Sequence, residues 1–282
     1  MPLSKLQMTR ILLIQEIRIL LVSPALWAML IILSLLVGYS FIQAVDLFSK
    51  ASQTALAYPE FATGINPLEG IFVPTFGAYY LVETLLLPFV IIHLVGRDKH
   101  NGNLKLLLQL PLSPFALNGI KLAAMAVVWL LMLIAALSVL GIWQYLGGEI
   151  YFPEILTLIL GHSLYVLTIV CIAMFATTVT STLATAAIIC LTATLGSWIL
   201  DFTSSGQEGW LGALSHISLT ALLRQFESGL LSLASVGVFL ALSLLFFITA
   251  STLLHTGRST SQRLKILSIS IGVLLVLFMG LL

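Results

Sequence analysis

Residues Leu122–Tyr145 read LAAMAVVWLLMLIAALSVLGIWQY, twenty-four positions without a charged side chain. At 1.5 Å per residue a helix of this run is about 36 Å long, enough to cross a hydrocarbon core of about 30 Å. Backbone groups in lipid must be satisfied within the segment or within a closed barrel. The run is continuously apolar and does not alternate, which selects the helix.

Working outward, similar runs recur. They predict spans near Pro24–Val45, Val73–Val95, Ile155–Phe175, Leu183–Leu200 and Leu231–Leu254, with a last apolar run from Ile266 to Leu282. Composition agrees: 60% of the 282 residues are hydrophobic, 8% are charged, and mean hydropathy is +1.13. Water-facing domains carry roughly 25% charged residues. The expected fold is an all-α integral membrane protein, a polytopic bundle of six to seven transmembrane helices. Polar stretches are expected between spans: Asp46 to Pro67, Arg97 to Asn103, and Asp201 to Gly209. Ser215 to Gly229 reads as a short interfacial helix.

The N-terminal 22 residues differ. Leu3, Leu6, Leu13, Ile14, Ile17 and Leu20 share one helical arc, with Arg10 intruding. Ser4, Lys5, Gln15, Glu16 and Arg18 make the other side mixed. This suits either a helix in the membrane interface or an extension of the first span. Ser23-Pro24 supplies a break between the two. Lys5, Arg10, Glu16 and Arg18 also interrupt any cleavable signal pattern.

Basic residues set the expected orientation. With the N-terminus in the cytoplasm, ten of the twelve Lys and Arg fall inside, and only Lys50 and Arg224 fall outside. The acids mostly fall outside, among them Asp46, Glu60, Glu69, Glu149, Glu154, Asp201, Glu208 and Glu227. A net charge of +1 points to no nucleic-acid partner. Cys171 and Cys190 lie inside apolar runs and read as small hydrophobes.

Two features can carry function. The loop after the second span runs from Arg97, Asp98 and Lys99 through Gly102 to Leu104, Leu107, Leu108 and Pro111. Its leucines share one face of a short helix. They either rest on the membrane or enter a groove of a soluble partner. Glu83 sits near the middle of the second span, where an unpaired charge costs at least a few kcal/mol. It is expected to face the interior, as a substrate-path residue or as an interhelical hydrogen bond. His93 and His162 show no metal-ligand spacing and read as structural polar groups. Ala173, Thr177 and Ser181, and Ala193 and Ser197, follow small-xxx-small spacing and predict close helix packing. No phosphate-binding loop, zinc-protease or serine-hydrolase signature is present, so no catalytic residue and no metal site is expected.

The order of these parts resembles the permease subunits of type-2 ABC exporters, which include gliding-motility permeases and those serving nitrous oxide reductase maturation. The opening Gln15-Glu16-Ile17-Arg18, Ser23-Pro24 and Gly38-Tyr39 resembles the family's start. Pro88, then Asp98-Lys99-His100-Asn101-Gly102 to Pro111, resembles its loop after the second span. Lys121 matches a lysine that opens the third span, Phe175 to Ala184 a small-residue turn, and Phe226 with Gly229 an F-x-x-G pattern. Asp98 stands for the usual Glu, Asn103 for Thr, and Lys105 reverses the charge of a second Glu. The resemblance implies one permease domain over 1–282: an interfacial helix at 1–22, a six-span core at 24–254, and an extra segment at 266–282. It further implies a second permease chain, cytoplasmic ATPase subunits that bind ATP and Mg, an inner-membrane location and, in related chains, an external auxiliary protein. Its rivals are a membrane scaffold for an assembly complex and a secondary transporter using Glu83.

Overall fold

The computed structural model describes residues 4–58, 66–204, 218–254 and 259–281. The expected Glu60, Glu208 and Arg258, and the polar stretch beyond Ser204, lie outside these. Among the described residues the protein is all helix, and six helical stretches are long and apolar enough to cross a membrane. The protein is a polytopic α-helical bundle.

Helix α1 (Lys5–Val22) opens on a reciprocal cap. Ser4 Oγ accepts from Gln7 N at 3.2 Å, and Gln7 Oε1 accepts from Ser4 N at 3.0 Å. Extended backbone at Ser23 then separates it from α2 (Pro24–Ala57), where proline occupies the first turn. Helix α1 packs along the later helix Pro114–Tyr145. The residues it buries are Leu20 and Glu16, while Leu6 and Ile14 of the expected apolar arc are exposed. The assignment of Glu16 to the polar outer side is therefore corrected, for a reason given below.

The first span overshoots its expected end. Helix α2 has 34 residues, and its far part carries a solvated Asp46–Lys50 pair one turn apart. In the same part, Phe48 packs edge-on against Trp143 at 6.1 Å. The second span starts with a wide π-helical turn at Leu68–Phe72, whose first amide bonds Asn66 Oδ1. It continues as α3 (Val73–Leu85) and α4 (Leu87–His100). The break at Leu86 comes from Pro88, which has no N–H to offer the carbonyl of Thr84.

The loop helix α5 (Asn103–Leu107) follows Gly102, whose φ of +74° favours glycine. It is five residues long, and turns rather than helix lead on to Pro111. Helix α6 (Pro114–Tyr145) begins well before the expected Leu122 because Ser113 Oγ caps Ala116 N and Pro114 sits in its first turn. Helix α7 (Phe152–Val179) is the central element: most of its residues are buried, and it packs against α4 and against the later helices Leu183–Ser204, Leu219–Glu227 and Leu233–Leu253. Helix α8 (Leu183–Ser204) carries Asp201 inside the helix, buried, where a polar loop was expected.

Helix α9 (Leu219–Glu227) is short and buries Leu219, Leu222, Leu223 and Phe226. Helix α10 (Leu233–Leu253) lies along α7, and α11 (Thr260–Leu281) packs on α10 through a Thr249–Ser270 hydroxyl pair at 2.9 Å. Helix α11 is the form taken by the extra C-terminal run. Of the expected small-residue pairs, Ala173 and Thr177 are buried, whereas Ser181 is exposed in the turn after α7. Ser197 bonds the start of α9.

Side-chain contacts sort the helix ends into two groups. One end gathers α1, α5, the close of α4 and α7 and the start of α6. The other gathers Leu68, Glu154 and Gly229, together with Trp143 against Phe48 and Phe72.

Candidate functional site

At the first end, a single lysine holds three helices. Lys121 Nζ of α6 donates to Glu16 Oε1 of α1 at 2.9 Å and to Asp98 Oδ2 of α4 at 2.5 Å. The three side chains are 7%, 12% and 6% exposed. Burial of this kind is stable only when the charges are paired, since each loses its hydration. That requirement pulls Glu16 inward from the mixed side of α1. The remaining oxygen, Glu16 Oε2, has no hydrogen-bond partner among the described residues.

Lys99, the neighbour of Asp98, turns the other way. Its Nζ donates to the carbonyls of Thr177 at 3.1 Å and Thr178 at 3.2 Å, and also to that of Thr180. These are the orphan acceptors at the C-terminal end of α7, where a cation is favoured. Gly96 makes room for the same junction: a Cβ there would meet Leu183. Asn118 Nδ2 donates to Ser251 Oγ at 3.0 Å and ties α6 to α10.

Beneath the loop lies a cavity of about 210 Å³. Leu104, Leu107 and Leu108 line it from above, with Lys105; Glu16, Lys121 and Leu12 line it from the sides. The three leucines share one face as expected, but that face turns toward the chain itself and is half-buried. Leu106 is the outward leucine of α5, 64% exposed. Pro111 is exposed beyond the turns, and half-buried Arg97 lines a separate groove of about 410 Å³ with Arg18 and His93.

The second polar centre is deep in the bundle. Glu83 of α3 is fully buried, as its mid-span position predicted, and its Oε2 lies 2.9 Å from His162 Nδ1 of α7. His162 Nε2 lies 3.9 Å from Glu227 Oε1, whose side chain is 19% exposed. The rings of Phe76 and Tyr79 flank the imidazole at 5.1 and 6.3 Å. Tyr79 donates to Met132 O, and Thr84 bonds the Tyr165 hydroxyl. Burial pushes the Glu227 carboxyl up, partly offset by His162 and Arg224. Helix α9 is held by Arg224 Nη2 on Asp201 Oδ2 at 2.6 Å. Among the described residues no group of three or more His, Cys, Asp and Glu has the arrangement to hold a metal ion.

The residues missed by sequence reasoning are partners rather than types. Glu16, Asp98 and Lys121 each drew attention separately, yet their convergence did not. A lysine at the mouth of an apolar span demands a counter-ion once it is buried, and that demand was the available signal. Nothing local pairs His162 with Glu83, seventy-nine positions apart. Comparison of the chain with protein-family models, with curated proteins and with solved structures gives no match.

Proposed function

We propose that this chain is the transmembrane permease subunit of an ATP-driven exporter. In this reading the lysine-rich end faces the cytoplasm of a cell with an inner membrane, in keeping with the ten-to-two distribution of basic residues. Separate ATPase subunits bind ATP and Mg, and a second permease chain completes the pathway. The observation that carries the reading is the buried Lys121 clamp on Glu16 and Asp98. A force applied to the loop at Gly102–Pro111 acts on α4 within one turn of Asp98. Through Lys121 it acts on α1 and α6 as well, and through Lys99 on α7. Ion pairs that have only a few satisfied arrangements make such a junction discrete rather than elastic, as a two-state coupling requires.

Leu106 is the exposed apolar side chain of α5, open to an outside partner. The test uses the tagged full chain, extracted from its native membrane, with and without Leu106→Asp. A co-eluting ATPase whose ratio to the chain and whose stimulated hydrolysis both fall in the variant supports the reading. If the folded chain brings down no Walker-motif ATPase and stimulates none, the exporter reading is overturned and a scaffold or secondary transporter remains.

A further inference from the structure

Glu83, His162 and Glu227 form a line of titratable groups that runs from a half-open surface into the bundle core. Its inner members are completely buried, and two of its polar atoms, Glu83 Oε1 and His162 Nε2, lack hydrogen-bond partners among the described residues. Satisfied buried polar groups are the rule, and ionisable residues within membrane spans mark functional sites by default. The 2.9 Å contact between Oε2 and Nδ1 needs one proton between them, and held on Nδ1 that proton leaves Nε2 a lone pair. The unpartnered Nε2 then has room for one more. It points at Glu227 Oε1, 3.9 Å away, so a shift of about 1 Å brings it within hydrogen-bond reach.

Aromatic rings pack closely around the line. Phe76 covers one face of the imidazole. Gly161 lets α9 sit directly on α7 beside His162; a Cβ there would lie 2.5 Å from Phe226 Cβ. The other titratable and charged groups facing the line are Tyr79 and Tyr80 from α3, Tyr165 from α7, Arg224 from α9 and Asp201 from α8. The Arg224 guanidinium is bonded to Asp201, and the hydroxyls of Tyr79 and Tyr165 to Met132 O and Thr84.

We propose that Glu83, His162 and Glu227 constitute a proton-binding site, loaded through Glu227 from the end of the bundle opposite the Lys121 clamp. Loading is a simple transfer. Glu227 takes a proton from water, then passes it to the lone pair of Nε2. Glu227 becomes a carboxylate again, Nδ1 passes its own proton to Glu83 Oε2, and the site ends with a protonated Glu83 carboxyl beside a neutral imidazole of the other tautomer. No bond other than N–H and O–H forms or breaks.

The experiment uses the purified full chain in lipid nanodiscs and needs no partner protein. Infrared difference spectra between pH values follow the carbonyl stretch of protonated carboxyls and the ring modes of isotope-labelled histidine. The proposal expects carboxyl and imidazole signals that change in the same pH step. Glu83→Gln should remove the carboxyl part, and His162→Gln the imidazole part. Glu227→Gln, at the half-open position, should leave the end-point spectra and slow their appearance several-fold after a pH jump. Wild-type spectra without any joint step, or a joint step that persists in Glu83→Gln, would overturn the site. An unchanged rate in Glu227→Gln would overturn the route. The wild-type and Glu227→Gln measurements stand even if a core variant fails to fold.

Discussion

Replacing Lys121 by Met keeps side-chain length and removes the cation that Glu16 and Asp98 share. All three side chains are about nine-tenths buried, so water screens little of the loss. Breaking a buried ion pair by deleting one partner costs roughly 3–5 kcal/mol, because the other charge stays buried without compensation. Here two carboxylates are stranded, and the upper half of that range applies. That is on the order of a thousand- to several-thousandfold in the folded-to-unfolded ratio. Asp98→Asn is milder, about 1–3 kcal/mol, because Lys121 keeps Glu16. The decisive protein is the triple variant Glu16→Met, Asp98→Leu, Lys121→Met. It carries no stranded charge, and replacing buried ionic groups by apolar residues of similar volume is often neutral in stability. Denaturant midpoints in one detergent, read by the fraction of monodisperse protein, should rank wild type and triple variant well above Lys121→Met. A Lys121→Met midpoint equal to wild type would refute the clamp. So would a triple variant no better than the single lysine change, since the damage would then come from packing and not from charge.

Two glycines should behave oppositely. Gly161→Ala drives a methyl into the Cβ of Phe226, a backbone-anchored atom, and should cost about 1–3 kcal/mol. Gly96→Ala meets only the tip of Leu183, which can rotate away, and should cost less than about 1 kcal/mol; thermal midpoints in the reversed order would contradict both contacts. Cys171 and Cys190 are buried and should resist maleimide in the native protein, reacting only after denaturation; rapid native labelling would mean that the α7–α8 packing is wrong. With those thiols silent, Gln53→Cys and Leu106→Cys, both exposed, should label from opposite sides of sealed vesicles, and labelling from one side would defeat the alternation of spans.

The bundle was legible because lipid imposes a single demand, about twenty apolar positions per crossing, that each segment meets by itself. Helix ends were less legible. The overrun of α2 past Val45 and the early start of α6 at Pro114 depend on a solvated Asp46–Lys50 pair and on the Ser113 cap, neither of which apolarity reports. Polar side chains were the hardest. Glu16 and Asp201 looked solvated from their neighbours in sequence, yet both are buried because a cation from a distant helix reaches them. Glu83 was legible as interior from its depth alone. Its partner was not, since α7 offered only one histidine in an apolar run.

The two polar centres sit on the same pair of elements. Glu83 and Asp98 lie fifteen residues apart on the second span, about 22 Å along a helix. On the other side, α7 supplies His162 to one centre and the Thr177, Thr178 and Thr180 carbonyls to the other. Between them the second span is interrupted at Leu86, ahead of Pro88. The interruption divides it into two levers, each fastened to α7 by its own polar contacts. If the levers are independent, the stability losses of Lys121→Met and Glu83→Gln add within about 0.3–0.5 kcal/mol, as distant sites do. If α7 and the second span move as one body, the double variant departs from that sum by more. Pro88→Ala, which restores the missing N–H toward Thr84, should then enlarge the departure, because a continuous helix carries displacement from one centre to the other.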